Sequence, residues 1–181
     1  MNDMKRKLLV VLAVVAMLTA AVAAPATARG AIHGDIDLTL YLTPCDDTDP
    51  DSPLLTWAGT YDLGKMTLGI AYFPTADLEV IGDTGWVYFE ERLTLFKLPK
   101  GDLSDEKMIA AACNPRRVVV EGMDAGVGTP WGTAFGAGHV TDARWRLDRY
   151  VGGETFWWGA YTNDELTQFA GQLWIFPAWP R

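Results

Sequence analysis

Few side chains in this chain are equipped for chemistry, and the densest group sits in one strand-like run. Trp86 to Leu98 opens after the turn signal Gly82-Asp83-Thr84-Gly85, stops at Pro99, and carries Glu90, Glu91 and Arg92 at its centre. It is the longest run of aromatic and branched residues, types that suit a pleated, half-buried surface. A period of two puts Val87, Phe89, Glu91, Leu93, Leu95 and Lys97 on one face, with Trp86, Tyr88, Glu90, Arg92, Thr94 and Phe96 on the other. The first face is the more apolar, so it should point inward and take Glu91 with it. A buried carboxylate costs several kcal/mol unless it is paired, hydrogen-bonded or protonated. A β-bulge at Glu90-Glu91, or a rim position, would keep both glutamates near solvent, and this is the expected reading. A paired structural carboxylate and a functional one are the alternatives. If Glu91 is buried, Arg92, Arg117 and His139 are its candidate partners.

His33 and His139 are the only histidines. His139 falls mid-strand, and a Glu91–His139 pair inside a barrel would make an acid–base couple, since a low-dielectric cavity shifts both groups. A histidine satisfied by an ordinary neighbour is the simpler reading, so no catalytic residue is assigned. Nucleophile-elbow, zinc-ligand and serine-triad patterns are absent, and no cofactor motif is read. Asp47, Asp49 and Asp51 imitate the first half of a calcium loop, but Ser52 stands where glycine belongs and Ala58 where the bidentate glutamate would fall. A solvated acidic loop is expected there, with no metal site. Cys45 and Cys113 are the only cysteines, and a disulfide between them is expected if the chain is exported. Trp157 and Trp158 are adjacent, so in a strand they face opposite sides. One of them, and Trp179 near the C-terminus, could stack on a ligand or a partner.

The positioning elements begin after an address segment. Lys5-Arg6-Lys7, the apolar run Leu8 to Ala24 and Ala26-Thr27-Ala28 have the layout of a secretory signal peptide over residues 1–28, leaving one domain over 29–181. No other stretch is long and apolar enough to span a membrane as a helix. Without the leader, 12 Lys+Arg stand against 22 Asp+Glu. Such a balance argues against nucleic acid and anionic lipid as partners and leaves an unknown small molecule or protein. The expected location is extracellular or periplasmic.

Strands are read at 36–43, 54–61, 66–73, 86–98, 117–123, 132–143, 155–161 and 166–176, with 78–81 as a further brief one. Leu54–Tyr61 and Met66–Phe73 form a hairpin through Asp62-Leu63-Gly64-Lys65. The one helix is expected between Asp102 and Cys113, with Asp102 or Ser104 as its cap. Asp124 to Pro130 reads as a glycine-rich loop, and no helix follows it to make a phosphate site. Residues 144–150 are ambiguous between a helical turn and an edge strand. Glycine beside tryptophan recurs at Trp57-Ala58-Gly59, Trp131-Gly132 and Trp158-Gly159, as strongly curved sheets require. The fold expected is all-β, a single antiparallel barrel of about eight strands with one short helix; a β-sandwich is the alternative.

The run Gly136-Ala137-Gly138-His139-Val140-Thr141-Asp142-Ala143, followed by Val151-Gly152-Gly153 and Trp158-Gly159, resembles the late strands of allene-oxide-cyclase-like and dirigent-like barrels. The strand Trp57–Tyr61 resembles calycins. The chain departs from the first pattern by inserting Arg144 to Tyr150. The resemblance, to secreted bacterial small β-barrels, implies an interior able to hold an apolar molecule and transfers no catalytic residue. Two functions follow as expectations. The first is a secreted binding or interaction barrel, with Glu91, Arg92, His139, Trp157 and Trp158 as ligand-contact candidates. The second is a small barrel enzyme, isomerase/cyclase-like or hydrolytic, using Glu91 and His139 as acid and base.

Overall fold

The structure, a computed structural model, describes residues 30–101 and 103–178. The signal-peptide segment, the candidate cap Asp102 and Trp179 lie outside the described residues. Nine strands follow in order: β1 (Ile32–Pro44), β2 (Leu54–Asp62), β3 (Thr67–Pro74), β4 (Glu79–Val80), β5 (Val87–Phe96), β6 (Val118–Gly128), β7 (Thr133–Ala143), β8 (Glu154–Tyr161) and β9 (Gln168–Ile175). A helix, α1 (Asp105–Ala112), separates β5 from β6, and a 3-10 helix (Trp145–Tyr150) separates β7 from β8.

Each long strand pairs antiparallel with its sequence neighbours, β3 pairs with β5, and β9 returns to β1. Eight strands therefore close into an up-and-down barrel, and closure leaves no open edge. β4 is the extra strand, paired only with the start of β5. An eight-stranded barrel is just wide enough to be filled by side chains or to hold one small ligand.

The chain's patterning explains which surfaces face where. In β3, Leu68, Ile70 and Tyr72 point into the barrel, while Ala71 and Phe73 point outward beneath α1. Both faces of β3 are thus covered, and its six central residues are all buried. The outer layer of Leu55, Ala58, Phe73 and Phe96 receives Met108, Ala111 and Ala112 from the helix. A disulfide, Cys45–Cys113, fixes the β1–β2 loop to the C-terminal end of α1, with 5.2 Å between the Cα atoms. Closing a loop of 68 residues restricts the unfolded chain and contributes about 4 kcal/mol in the chain-entropy picture.

Two readings are corrected. There is no bulge at Glu90-Glu91: β5 keeps register with β6 from Val87 to Leu95, and its irregularity falls between Leu95 and Phe96. The inward face is therefore Val87, Phe89, Glu91, Leu93 and Leu95 without interruption. The glycine-rich segment from Asp124 is no loop either. β6 runs on to Gly128, because Gly122, Asp124, Gly126 and Gly128 continue the inward period set by Val120. The turn proper is confined to Thr129–Gly132, where Thr129 and Thr133 bond each other. The ambiguous segment 144–150 is the 3-10 helix.

The meander gives the barrel two unlike ends. At the base the 3-10 helix carries Tyr150 into the interior, where it is fully buried with Tyr61, Leu173 and Ile175. The Tyr150 hydroxyl donates to the Gly30 carbonyl at 2.6 Å and the Tyr61 hydroxyl to the Leu173 carbonyl at 3.1 Å. The mouth is formed by the β1–β2 loop, the segment between β3 and β5, and the β6–β7 and β8–β9 turns; among the described residues no helix crosses it.

Candidate functional site

Two rows of inward-facing residues build the site. In the first, ladder pairing aligns Glu91 on β5, Asp124 on β6, Gly138 on β7 and Thr155 on β8. Gly138 has no side chain to separate its neighbours: a Cβ there would meet the Asp124 carboxylate and the Met123 carbonyl. Through that gap the Thr155 hydroxyl donates to Asp124 Oδ1 at 2.7 Å. The second row, one step toward the mouth, aligns Phe89, Gly126, Gly136 and Trp157. The rings of Phe89 and Trp157 lie over the two glycines and stack on each other at 5.9 Å with an interplanar angle of 20°. A Cβ on either glycine would enter those rings. The pair contributes about 1 kcal/mol beyond its area burial and fixes the indole across the barrel.

Glu91 and Asp124 are directly opposed across adjacent strands, a spacing of about 5 Å between Cβ atoms. Both are buried, at 7% and 3% exposure. Burial, with the Asp124 charge second, pushes the Glu91 carboxyl up to about 8. Burial likewise pushes Asp124 up to about 7, against the Thr155 hydroxyl and the Trp157 indole N–H, which favour its ionised form. Both carboxyls are thus held above the usual carboxylate range, and the pair keeps a proton at a pH where isolated carboxylates would have lost both, because two carboxylates this close in low dielectric resist ionising together. The Trp157 N–H acts on Asp124 without reaching hydrogen-bond geometry, and Asp124 Oδ2 also lacks a bonded partner within the protein. The hydroxyl of Tyr72, on β3, is buried without a partner as well; burial and the two carboxyls hold its proton well above the ordinary phenol range. Burial and the Glu91 charge raise Tyr161 in the same sense.

Of these groups Glu91, Tyr72, Trp157 and Tyr161 line a cavity of about 510 Å³ that opens at the mouth. Its wall is aromatic around Glu91, with Trp57 opposite Tyr72, Tyr161 opposite Phe169, and Phe89 stacked on Trp157. Ile36, Leu38 and Leu40 line the β1 side. Leu42, Leu54, Leu78 and Leu166 ring the opening and remain exposed, Leu78 at 71% and Leu42 at 69%. The charged residues among the lining are Asp77, Glu90 and Glu91, all acidic. The arrangement can seclude an apolar molecule, stack it against several rings, and offer it a carboxyl group at depth.

The structure gathers some of the expected site residues and scatters others. Glu91 and Trp157 are inside and line the cavity. Arg92 is on the outer face, its guanidinium 4.7 Å from the centre of the Phe73 ring, so it cannot pair with Glu91. Arg117 instead donates to the carbonyls of Lys97 and Leu98. His139 pairs across the ladder with Met123 and Glu154 on the outer face and is exposed. The acid–base couple of Glu91 and His139 is therefore not formed: β7 alternates from Ala134 to Val140, and the inward residues Gly138 and Val140 put their neighbour outside. Trp158 is also outside, opposite Phe135 on β7. Asp47, Asp49 and Asp51 stand in an exposed loop whose carboxylates cap local backbone, as Asp49 does for the Asp51 N–H. Among the described residues no three acidic, histidine or cysteine side chains converge to hold a metal. Asp124 escaped the sequence reading because it was placed in a loop; the signal was present in the alternate spacing Gly122, Asp124, Gly126, Gly128 after Val118 and Val120.

Fold and site together define a closed antiparallel β-barrel with a plugged base, a mouth ringed by exposed leucines and a buried carboxyl pair of which Glu91 reaches the cavity. Comparison of the chain with protein-family models, with curated proteins and with solved structures finds no match in any of the three.

Proposed function

We propose that the protein is a binding barrel that sequesters one apolar small molecule in its interior. The observation that carries this reading is the cavity of about 510 Å³, closed at the base by Tyr150 and Tyr61 and open only through a ring of leucines. That volume is within the range of small-ligand sites, which are mostly apolar with few polar groups. Exposed leucines at the opening give an apolar molecule an apolar surface to meet as it passes from an aqueous or lipid environment. The disulfide supports operation in an oxidising compartment, outside the cell or in the periplasm, where the expected leader would deliver the chain. A calycin-like or allene-oxide-cyclase-like scaffold is compatible with this use. With His139 outside, the enzyme alternative loses its base, and binding is the simpler reading.

Titration of the purified protein with the neutral fluorophore N-phenyl-1-naphthylamine tests the proposal. Saturable enhancement at one equivalent, with quenching of Trp157 emission, is expected; Phe89→Trp should then block it by filling the cavity. A lack of saturable binding, or binding indifferent to Phe89→Trp, would refute it.

A further inference from the structure

The cavity's chemistry narrows the ligand class, granted the binding reading above. We propose that the barrel selects lipophilic cations: molecules with an apolar body and one protonated amine, whose ammonium group is held by Glu91 at the inner end of the cavity.

Four observations converge on a positive charge. Every charged residue lining the cavity is acidic, and the buried residues of the described barrel include no Lys, Arg or His. Glu91 has Asp124 directly opposite on β6, and neither has a basic partner; Arg92, the nearest in sequence, is on the outer face over Phe73. Two carboxyls set side by side in an apolar interior are costly to keep, and a cation is the one ligand that lowers the cost of both. The Tyr72 hydroxyl, buried and without a partner in the protein, offers lone pairs beside them. Finally, Trp57, Phe89, Tyr72, Trp157, Tyr161 and Phe169 surround the space with ring faces, which attract cations most strongly where water is excluded. A carboxylic acid or phosphate ligand would bring a further negative charge beside two acidic groups with no basic side chain to offset it. A neutral alcohol would gain the apolar contacts and a hydrogen bond but no charge pairing.

The proton balance follows. The groups facing Glu91 are Asp124 on β6, Tyr72 on β3 and Tyr161 on β8, with Glu90 and Asp77 nearer the mouth. Arrival of the alkylammonium ion drives the Glu91 proton out to solvent and leaves a charge-assisted pair, the Glu91 carboxylate accepting from the ligand's ammonium group. Each amine bound below the Glu91 titration should therefore release up to one proton, and the affinity should rise by up to about tenfold per pH unit in that range.

Calorimetric titrations with decylamine, decan-1-ol and decanoic acid at pH 7 separate the outcomes. The amine is expected to bind at least about tenfold more tightly than the alcohol, with the acid weakest, and with proton release shown by repeating the titration in buffers of different ionisation enthalpy. In Glu91→Gln, which keeps the shape of the neutral acid, the alcohol should bind as before and the preference for the amine should vanish. Asp124→Asn should reduce the preference less, since Asp124 stands behind Glu91. An alcohol or acid that binds as tightly as the amine, or a preference that survives Glu91→Gln in a protein with native near-UV dichroism, overturns the cation assignment and leaves the binding barrel standing. Absence of binding by all three ligands overturns both.

Discussion

The same eight strands end in two different ways. At the base, Tyr61, Tyr150, Leu173 and Ile175 are fully buried, and both phenol hydroxyls are bonded to backbone carbonyls. Toward the mouth, Tyr72, Trp157 and Thr56 keep buried polar atoms without partners, and leucines stand in solvent. The contrast is one of occupancy. Inward residues near the base are large and branched, so they meet across the axis. Toward the mouth the inward positions of β6 and β7 are Gly126, Gly128, Ala134 and Gly136, and the space they vacate is only part-filled by Phe89 and Trp157. Stability is concentrated at one end and unfilled volume at the other, as a binding site on a rigid scaffold requires.

The strongest way to break this comparison is to truncate one aromatic at each end. Tyr150→Ala removes a side chain packed on all sides and orphans the Gly30 carbonyl, and should cost about 3–5 kcal/mol in urea unfolding. Phe89→Ala, where one ring face already borders the cavity, should cost clearly less, about 1–2 kcal/mol. Equal losses would mean that the mouth is packed as tightly as the base.

A smaller effect comes from the carboxyl row. The proton-binding sites of Glu91 and Asp124 are raised in the folded state, to about 8 and about 7, by burial. Between the ordinary carboxyl range and those values the folded protein binds protons that the unfolded chain has released, so stability falls as pH rises. Each carboxyl contributes a slope of about 1.4 kcal/mol per pH unit, fully favourable below pH 4 and lost by pH 8. The unfolding free energy should therefore be higher at pH 5 than at pH 7, by an amount on the order of 2–3 kcal/mol for Glu91 alone, and the melting temperature should follow. Glu91→Gln should flatten the profile and raise stability at pH 8. A profile that rises from pH 5 to pH 8 would show that the two carboxyls are solvated and the inner end of the cavity is wet.

How much of this was legible beforehand depends on the kind of constraint. The all-β class was, because alternation in Ile36–Thr43, Met66–Phe73 and Gly132–Ala143 comes with few helical signals, and the barrel was the expected form of it with a sandwich as the alternative. The Cys45–Cys113 bridge was legible by count, and the opposed directions of Trp157 and Trp158 by period. The inward course of Glu91 was also written in the period of β5, but the expected cost of burying it led to a bulge that the structure does not have. The energetic objection fails because burial itself keeps the carboxyl protonated, and Asp124, a residue 33 positions away that only the ladder brings opposite, adds to the effect. Asp124 in turn was hidden by composition: glycine at every second position reads as a loop until the partner aromatics that cover it are known. Which histidine or arginine could reach Glu91 likewise depended on strand register, which residue types alone do not determine.

The smallest effect concerns two residues held in the left-handed backbone region, one at each end. Trp145, with φ of 60°, opens the 3-10 helix at the base, and the Lys97 ammonium lies 3.6 Å above the centre of its ring. Leu166, with φ of 56°, is in the β8–β9 turn, braced by the Asn163 side chain, which accepts from the N–H groups of Thr167 and Gln168. Its own side chain is half exposed at the cavity opening and makes no comparable contact. Glycine adopts this conformation without the penalty of about 1 kcal/mol that leucine incurs. Leu166→Gly should therefore leave stability unchanged or raise it by up to about 1 kcal/mol, while weakening apolar ligand binding several-fold through loss of one rim contact. That opposition separates a residue kept for the ligand from one kept for the fold. A variant that is less stable and binds as before would assign Leu166 to the scaffold and move the functional boundary of the mouth inward to Trp57 and Tyr161.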